Sequence, residues 1–273
     1  MKIKRTERTG RSRSGSEPRS CHAGTQRRGE WIYGLNPVLE AIRAGRNIKG
    51  IFLSLSRQDS PEVFEIKKEA EKRNISLMRV DTSFFHARFP KGHQGIAAKV
   101  LPKIYIVLEE LLKIPSRRDE PPLFILLDCV EDPRNFGAIL RVADAAGVHG
   151  IVIQSRRSVT LGSEVSKASA GAVEYVPVSI VANIKHAIQE MKERGVTVIG
   201  AEAGVERVVW DLDLKLPLAL VIGSEGKGLR KTVKESCDIL VCLPMKGRIN
   251  SLNVSVAVGI LAFEILRQRL HKN

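Results

Sequence analysis

The chain of 273 residues is long for one domain, so one large domain or two modest ones are available, each with room for a sizeable core. Lys and Arg number 44 against 30 Asp and Glu, a formal +14 that suits polyanionic partners and puts nucleic acid first. Apolar residues make up 43% of the chain, but no run nears the roughly 18 uninterrupted residues of a spanning helix, which excludes an integral membrane protein.

Residues 1–29 carry nine basic side chains against Glu7 and Glu17, a net +7, with almost nothing to bury. They read as a disordered tail, either merely solvated or serving as a flexible arm for RNA phosphates. No apolar stretch follows the charges, so no secretory signal is present. Cys21, Cys129, Cys237 and Cys242 have no CxxC spacing and read as reduced, structural thiols of a cytoplasmic protein. The histidines form no metal-like constellation, and no metal is expected.

From residue 30 to 100 the pattern turns globular. It predicts a helix over 36–44, a strand over 51–55, a helix over 62–73, a strand over 77–80 and another over 95–100, a small α/β unit. Arg43, Arg46 and Lys49, and Arg88, Lys91 and His93, are its candidate RNA contacts. Residues 101–122 end in IPSRRDEPP, whose charges and paired prolines disfavour regular structure and predict a linker.

The unit over 123–273 begins a series of short, β-branched apolar runs: LFILLDCV, GIVIQ, VEYVPVS, VTVIGAE, LALVIG and ILVCLPM. Such runs suit parallel strands buried on both faces. Helical spacing over 135–146, 183–194 and 251–270 separates many of them, giving a layered α/β sheet. No internal repeat is visible.

Ligands of such sheets bind beyond the carboxyl ends of the strands. Three segments stand there. DCVEDPRNFGAILRVADAAGVHG carries Asn135 and Arg141, six residues apart and so about 120° out of line on one helix; a helix starting at Asn135 would let both reach one cleft. LALVIGSEGKGLR places Glu225 among glycines, which serve either a tight turn or close approach to a ligand. It has neither a GK[ST] nor a GxGxxG pattern, which disfavours a kinase or a dinucleotide enzyme. LPMKGRINSLNVSVAVGILAFEILRQR gathers Asn250, Ser251, Asn253 and Ser255 before a long helix, more polar groups than one N-cap needs.

In this order the three segments resemble the SpoU/TrmH class (SPOUT superfamily) of AdoMet-dependent RNA 2′-O-ribose methyltransferases. The shared patterns are N-x-G-x-x-x-R, G-x-E-G-x-G and L-P-M-x-G followed by S-L-N-x-S-x-A. WIYGLNPVLEAI and HQGIAAKV resemble the small RNA-binding domain of the RlmB-like branch, which includes bacterial 23S rRNA guanosine 2′-O-methyltransferases. The resemblance implies a catalytic α/β domain with a deep trefoil knot, preceded by a small ribosomal-protein-like α/β domain, acting as a homodimer on ribosomal RNA, 23S above all.

By motif position, Asn135, Arg141, Glu225, Ser251 and Asn253 correspond to catalytic residues, and Ile222, Gly223, Leu243, Met245, Leu252 and Ser255 to the S-adenosyl-L-methionine site. Arg141 serves either as a base toward the ribose hydroxyl or as a clamp on phosphate; a guanidinium is a poor free base, which favours the clamp. Asn135 orients the ribose or the arginine, and Glu225 holds Arg141 or a neighbouring amide. Asn250 departs from the serine of that branch. A tRNA methyltransferase and a non-catalytic RNA-binding protein are the rival readings.

Overall fold

The computed structural model describes residues 29–248 and 251–271. The expected basic tail, apart from Gly29, and Asn250 lie outside the described residues. The first layer is built from β1 (Glu30–Tyr33), α1 (Leu35–Arg43), β2 (Ile48–Ser54), α2 (Pro61–Lys72), β3 (Leu77–Val80), α3 (Thr82–His86) and β4 (Ile96–Val100). Its four-stranded sheet has the order β1-β4-β2-β3, with β4 antiparallel to both neighbours. Ile32, Val38, Ile42, Ile51, Leu53 and Ile66 are wholly buried between sheet and helices. Each such side chain contributes roughly 1.5–3 kcal/mol relative to exposure. Ser60 caps α2 by accepting from the Val63 amide at 3.4 Å, and Pro61 at the first position, where no amide is needed, fixes the start.

The expected linker contains two short helices, α4 (Leu108–Leu112) and α5 (Ile114–Arg118). Leu111 and Leu112 are buried against the second sheet, and that burial outweighs the local preference of a charged, proline-rich stretch for irregular backbone. Residues 101–107, apart from a single bridge at Ile106, and 119–122 stay irregular, as expected.

The second layer comprises β5 (Leu123–Leu127), α6 (Pro133–Ala145), β6 (Gly150–Gln154), α7 (Ser163–Ala168), β7 (Val178–Val181), α8 (Ile184–Glu193), β8 (Thr197–Ala201), β9 (Leu218–Ile222), α9 (Lys231–Lys234), β10 (Ile239–Val241) and α10 (Val254–Leu270). Its six strands are all parallel, in the order β10-β8-β9-β5-β6-β7. Alternation along β5 sends Ile125 and Leu127 into a core with α6 and α10, and Phe124 and Leu126 into a second core with α8. The run VEYVPVS is mostly not strand: Ala172–Glu174 forms a 3₁₀ turn and β7 begins only at Val178. Glu174 and Tyr175 are used instead against the first layer, where Glu174 meets Arg46 (2.6 Å) and Lys103 (3.3 Å) and the Tyr175 hydroxyl donates to Glu40 (2.6 Å).

That contact corrects the reading of Arg46 as an RNA ligand. Its side chain is 7% exposed and lies between Glu30 and the fully buried carboxylate of Glu174, so it joins the two layers. Arg43 is likewise engaged by Glu40 and Glu65.

The chain leaves β5 toward β6 and β7, then returns to β8 and β9 on the other side. Between β5 and β9 the connections diverge, which opens a crevice beyond their carboxyl ends.

Candidate active site

Four strand ends face that crevice: Asp128 follows β5, Glu202 follows β8, Gly223 follows β9 and Cys242 follows β10. Asp128 is fully buried, and its Oδ1 accepts from Arg230 Nε (2.7 Å) and Gln154 Nε2 (3.3 Å) while Oδ2 accepts from the Arg230 amide (3.0 Å). The carboxylate fixes the end of the glycine-rich loop and holds the Arg230 guanidinium above its ordinary pKa.

Within the loop the Gly228 amide donates to the Ser224 carbonyl at 3.0 Å, closing a tight turn. Gly228 has φ +64°, and a Cβ on Gly223 would fall 2.1 Å from the Gly228 carbonyl carbon. Two backbone strands touch here with no room for a side chain, so turn formation and ligand access are served by the same glycines. Glu202 supports the turn from below, accepting from the Leu229 amide (3.2 Å) and pairing with Lys234 (2.6 Å).

Beside this turn opens a cavity of about 300 Å³. Ile222, Gly223, Leu243, Met245 and Leu252 line it, as do Glu225 and Ser251. Ser255 does not: its hydroxyl and amide both donate to Asn253 Oδ1, at 2.5 and 2.9 Å, so it supports Asn253 rather than the cavity wall. Glu202, Ala203 and Cys242 also line the cavity and were missed from the sequence. The signal was there, since VTVIGAE ends in a carboxylate at a strand's carboxyl end.

The three polar segments meet at one carboxylate oxygen. Glu225 Oε1 accepts from Asn253 Nδ2 (2.7 Å), Asn135 Nδ2 (3.1 Å) and the Val254 amide (3.3 Å), and Asn253 Nδ2 also donates to Asn135 Oδ1 (2.9 Å). Asn253, not Ser251, caps α10, which therefore starts three residues later than the sequence pattern suggests.

Arg141 stands apart. Asp132 caps α6 by accepting from the Arg134 amide (2.9 Å), so Asn135 already lies in the first helical turn. Both residues then follow the regular 100° step and face about 120° apart. Arg141 is exposed and pairs with none of the described residues. Glu225 thus holds two side-chain amides and the Val254 backbone amide and not the arginine, and Asn135 faces Glu225 and Asn253.

Two family models match the chain: the SpoU rRNA Methylase family over residues 122–263, and RNA 2′-O ribose methyltransferase substrate binding over residues 31–106. Bacillus subtilis YacO, assigned to the TrmH family of tRNA/rRNA methyltransferases, is 41% identical over 242 residues, covering 88% of this chain and 96% of the relative. A Staphylococcus saprophyticus protein of the same assignment is 38% identical over 87% of this chain and 95% of its own length. Among solved structures, an RNA 2′-O ribose methyltransferase superposes with a TM-score of 0.75 at 25% identity, covering 90% of each chain. The AdoMet-bound rRNA methyltransferase of Sinorhizobium meliloti superposes with a TM-score of 0.70 at 27% identity, covering 88% of this chain and 87% of that one.

Proposed function

The chain belongs to the SpoU family of AdoMet-dependent RNA 2′-O-ribose methyltransferases, and from that premise we propose that it methylates a ribose 2′-hydroxyl of ribosomal RNA, at a guanosine of 23S rRNA as in the RlmB-like branch. The observation that carries the reading is the convergence of Asn135, Glu225 and Asn253 beside a cavity floored by closely packed glycine backbone.

The cavity suits the cofactor. Its wall combines apolar side chains with the backbone of Gly223–Gly228, and Glu225 is the carboxylate left to face a cationic ligand, Glu202 being paired with Lys234. Ile222, Gly223, Leu243, Met245 and Leu252 would hold S-adenosyl-L-methionine, with Ser251 at the rim. When bound, the cofactor supplies an electrophilic methyl group on sulfur.

The chain's own task is to prepare the hydroxyl, which is protonated at neutral pH and must be oriented and relieved of developing charge. Asn135 Nδ2 gives one hydrogen to Glu225 and keeps its second for the ribose oxygen. Glu225 and Asn253 fix that amide so that its donor edge cannot flip. Arg141 clamps an RNA phosphate and stabilises negative charge nearby rather than accepting a proton.

The reading further assigns residues 30–100 to substrate binding, 101–122 to the connection, and 123–273 to a catalytic domain with a deep trefoil knot, working as a homodimer. The dimer is supported by α10, which buries Val258, Leu261 and Ile265 yet also exposes Val256, Ile260 and Phe263 along a second stripe. A helix apolar on both sides requires a partner for the outer one.

The test is labelled-methyl transfer from AdoMet to unmodified 23S, 16S and tRNA transcripts, with Arg141→Ala in parallel and mapping of the modified ribose. One 23S guanosine labelled by the wild type and not by the variant is the expected result. Label on tRNA would retain the chemistry and overturn the substrate. Absence of both transfer and calorimetric AdoMet binding would leave a non-catalytic RNA-binding protein.

A further inference from the structure

A second concave site lies on the small domain, where β2 ends, α3 begins and the chain enters β4. It is a cleft of about 520 Å³, a size within the range of small-ligand sites. Among the described residues no aliphatic side chain lines it, so the cleft is polar throughout.

At its floor the hydroxyls of Ser54, Ser56 and Thr82 form a closed triangle, with Oγ–Oγ and Oγ–Oγ1 separations of 2.9, 2.8 and 2.8 Å. Three hydroxyls own three protons and six lone pairs, so the closed ring spends every proton and keeps acceptor capacity. Ser54 Oγ uses its remaining capacity on the Ser56 amide (3.3 Å), leaving Ser56 and Thr82 as free acceptors.

The walls supply donors. Arg57 lines the cleft; its Nη1 reaches the Gln94 carbonyl (2.9 Å), and its Nη2 has no partner among the described residues and is the donor left for a ligand oxygen. His93 Nδ1 accepts from the Gly95 amide (3.0 Å), which leaves Nε2–H as the ring's donor. One face of that ring stacks on Phe85 at 5.3 Å and His86 meets it edge-on at 5.1 Å, so the imidazole offers its edge rather than a stacking face. Asp59 also lines the cleft, but Lys67 (2.6 Å) and Arg79 (3.2 Å) neutralise it.

We propose that this cleft is an RNA subsite for one ribose and its phosphate: Arg57 and the His93 Nε2–H donate to phosphate oxygens, and Ser56 and Thr82 accept from the ribose 2′-hydroxyl. The assignment rests on RNA being the substrate class. It makes the small domain a reader of sugar identity and not only a positive surface.

The cleft is physically joined to the candidate active site. Gln94 Oε1 accepts from Lys167 Nζ on α7 (3.1 Å), and α7 packs so closely on α6 that a Cβ on Gly137 would sit 2.3 Å from the Ala168 Cβ. Gly137 is two residues from Asn135.

The experiment measures binding of the full chain to a 23S rRNA transcript across a salt series, and to single-stranded RNA and DNA oligonucleotides of one sequence, with no methyl transfer involved. Arg57→Ala should weaken transcript binding on the order of tenfold at 0.15 M salt and lower the salt slope by about one. Thr82→Val, close in shape, should narrow the preference for RNA over DNA. Unchanged AdoMet affinity and thermal unfolding in both variants shows that each is folded. An unchanged salt slope in Arg57→Ala overturns the phosphate contact, and an unchanged RNA/DNA ratio in Thr82→Val overturns the ribose contact. Because binding is read directly, failure of methyl transfer on every transcript would sink the proposed reaction without touching this result.

Discussion

Asn253 performs two jobs with two ends of one amide, and Asn253→Asp separates them. The oxygen end caps α10 through the Ser255 amide, and the substitution keeps it; replacing such a cap by alanine costs about 1 kcal/mol. The nitrogen end becomes an oxygen placed 2.7 Å from Glu225 Oε1 and 2.9 Å from Asn135 Oδ1. Two hydrogen bonds of roughly 1 kcal/mol each are lost. A repulsion between carboxylates is added, about 1.5 kcal/mol at the dielectric of bulk water, the fitting limit for groups this exposed. The sum, roughly 3.5 kcal/mol, should lower the unfolding temperature by about 7–14 °C. Asn253→Ala should cost less, because it removes the cap and the bonds but adds no charge. Combining Asn253→Asp with Glu225→Gln restores a donor facing the new carboxylate, so the double variant should regain at least about 1 kcal/mol over the single one. Calorimetric unfolding of the wild type, Asn253→Asp, Glu225→Gln and the double variant reads this coupling. A double variant no more stable than Asn253→Asp alone would refute the convergence on Glu225 as an energetic unit.

Gly223→Ala should reduce AdoMet affinity by about tenfold or more in calorimetry while leaving RNA binding intact, because the new methyl meets backbone that cannot yield without moving the turn. Arg46→Met should destabilise the chain by about 2–4 kcal/mol in chemical unfolding, since only Lys103 then faces the buried Glu174 carboxylate; Glu174→Gln in that background should recover part of the loss, and the salt slope of RNA binding should not change. Burial holds the His149 imidazole below its ordinary 6.5, against the raising effect of Glu120, so the folded state binds fewer protons than the unfolded one. Stability should therefore be full above pH 6.5 and fall as pH drops below it, and His149→Gln should flatten that slope.

The continuous apolar runs announced a buried parallel sheet because its inner strands are covered on both faces, and four of the six are strands over most of their length, while ILVCLPM is strand only over Ile239–Val241. The sixth, VEYVPVS, failed for a tertiary reason: Glu174 and Tyr175 are held by Arg46, Lys103 and Glu40, partners over 70 residues away that leave no local trace. The same distance hid Arg46, whose charge reads as surface until its two carboxylates are found. In the candidate site, Asn135, Glu225 and Asn253 were marked by residue type and strand-end position, but which groups pair was not readable. With the Asp132 cap and Pro133 at the first position, the helix begins before Asn135, so Asn135 and Arg141 lie on one helix about 120° apart. Glu202 was legible by the strand-end rule alone.

The two polar networks around the crevice differ in what they can do. Asp128, Gln154 and Arg230 join the ends of β5 and β6 to the start of α9 through a fully buried carboxylate, and a buried charge that lost a partner would cost several kcal/mol. That network is a frame, and it fixes where the glycine loop ends. The bonds among Asn135, Glu225 and Asn253 are exposed, so each contributes only about 1 kcal/mol net of the water bond it replaces. Exchanging one of them for a bond to a ribose hydroxyl therefore costs little. A rigid loop carrying amides that re-pair cheaply is the combination a site needs if it is to orient a neutral hydroxyl before the hydroxyl gains charge.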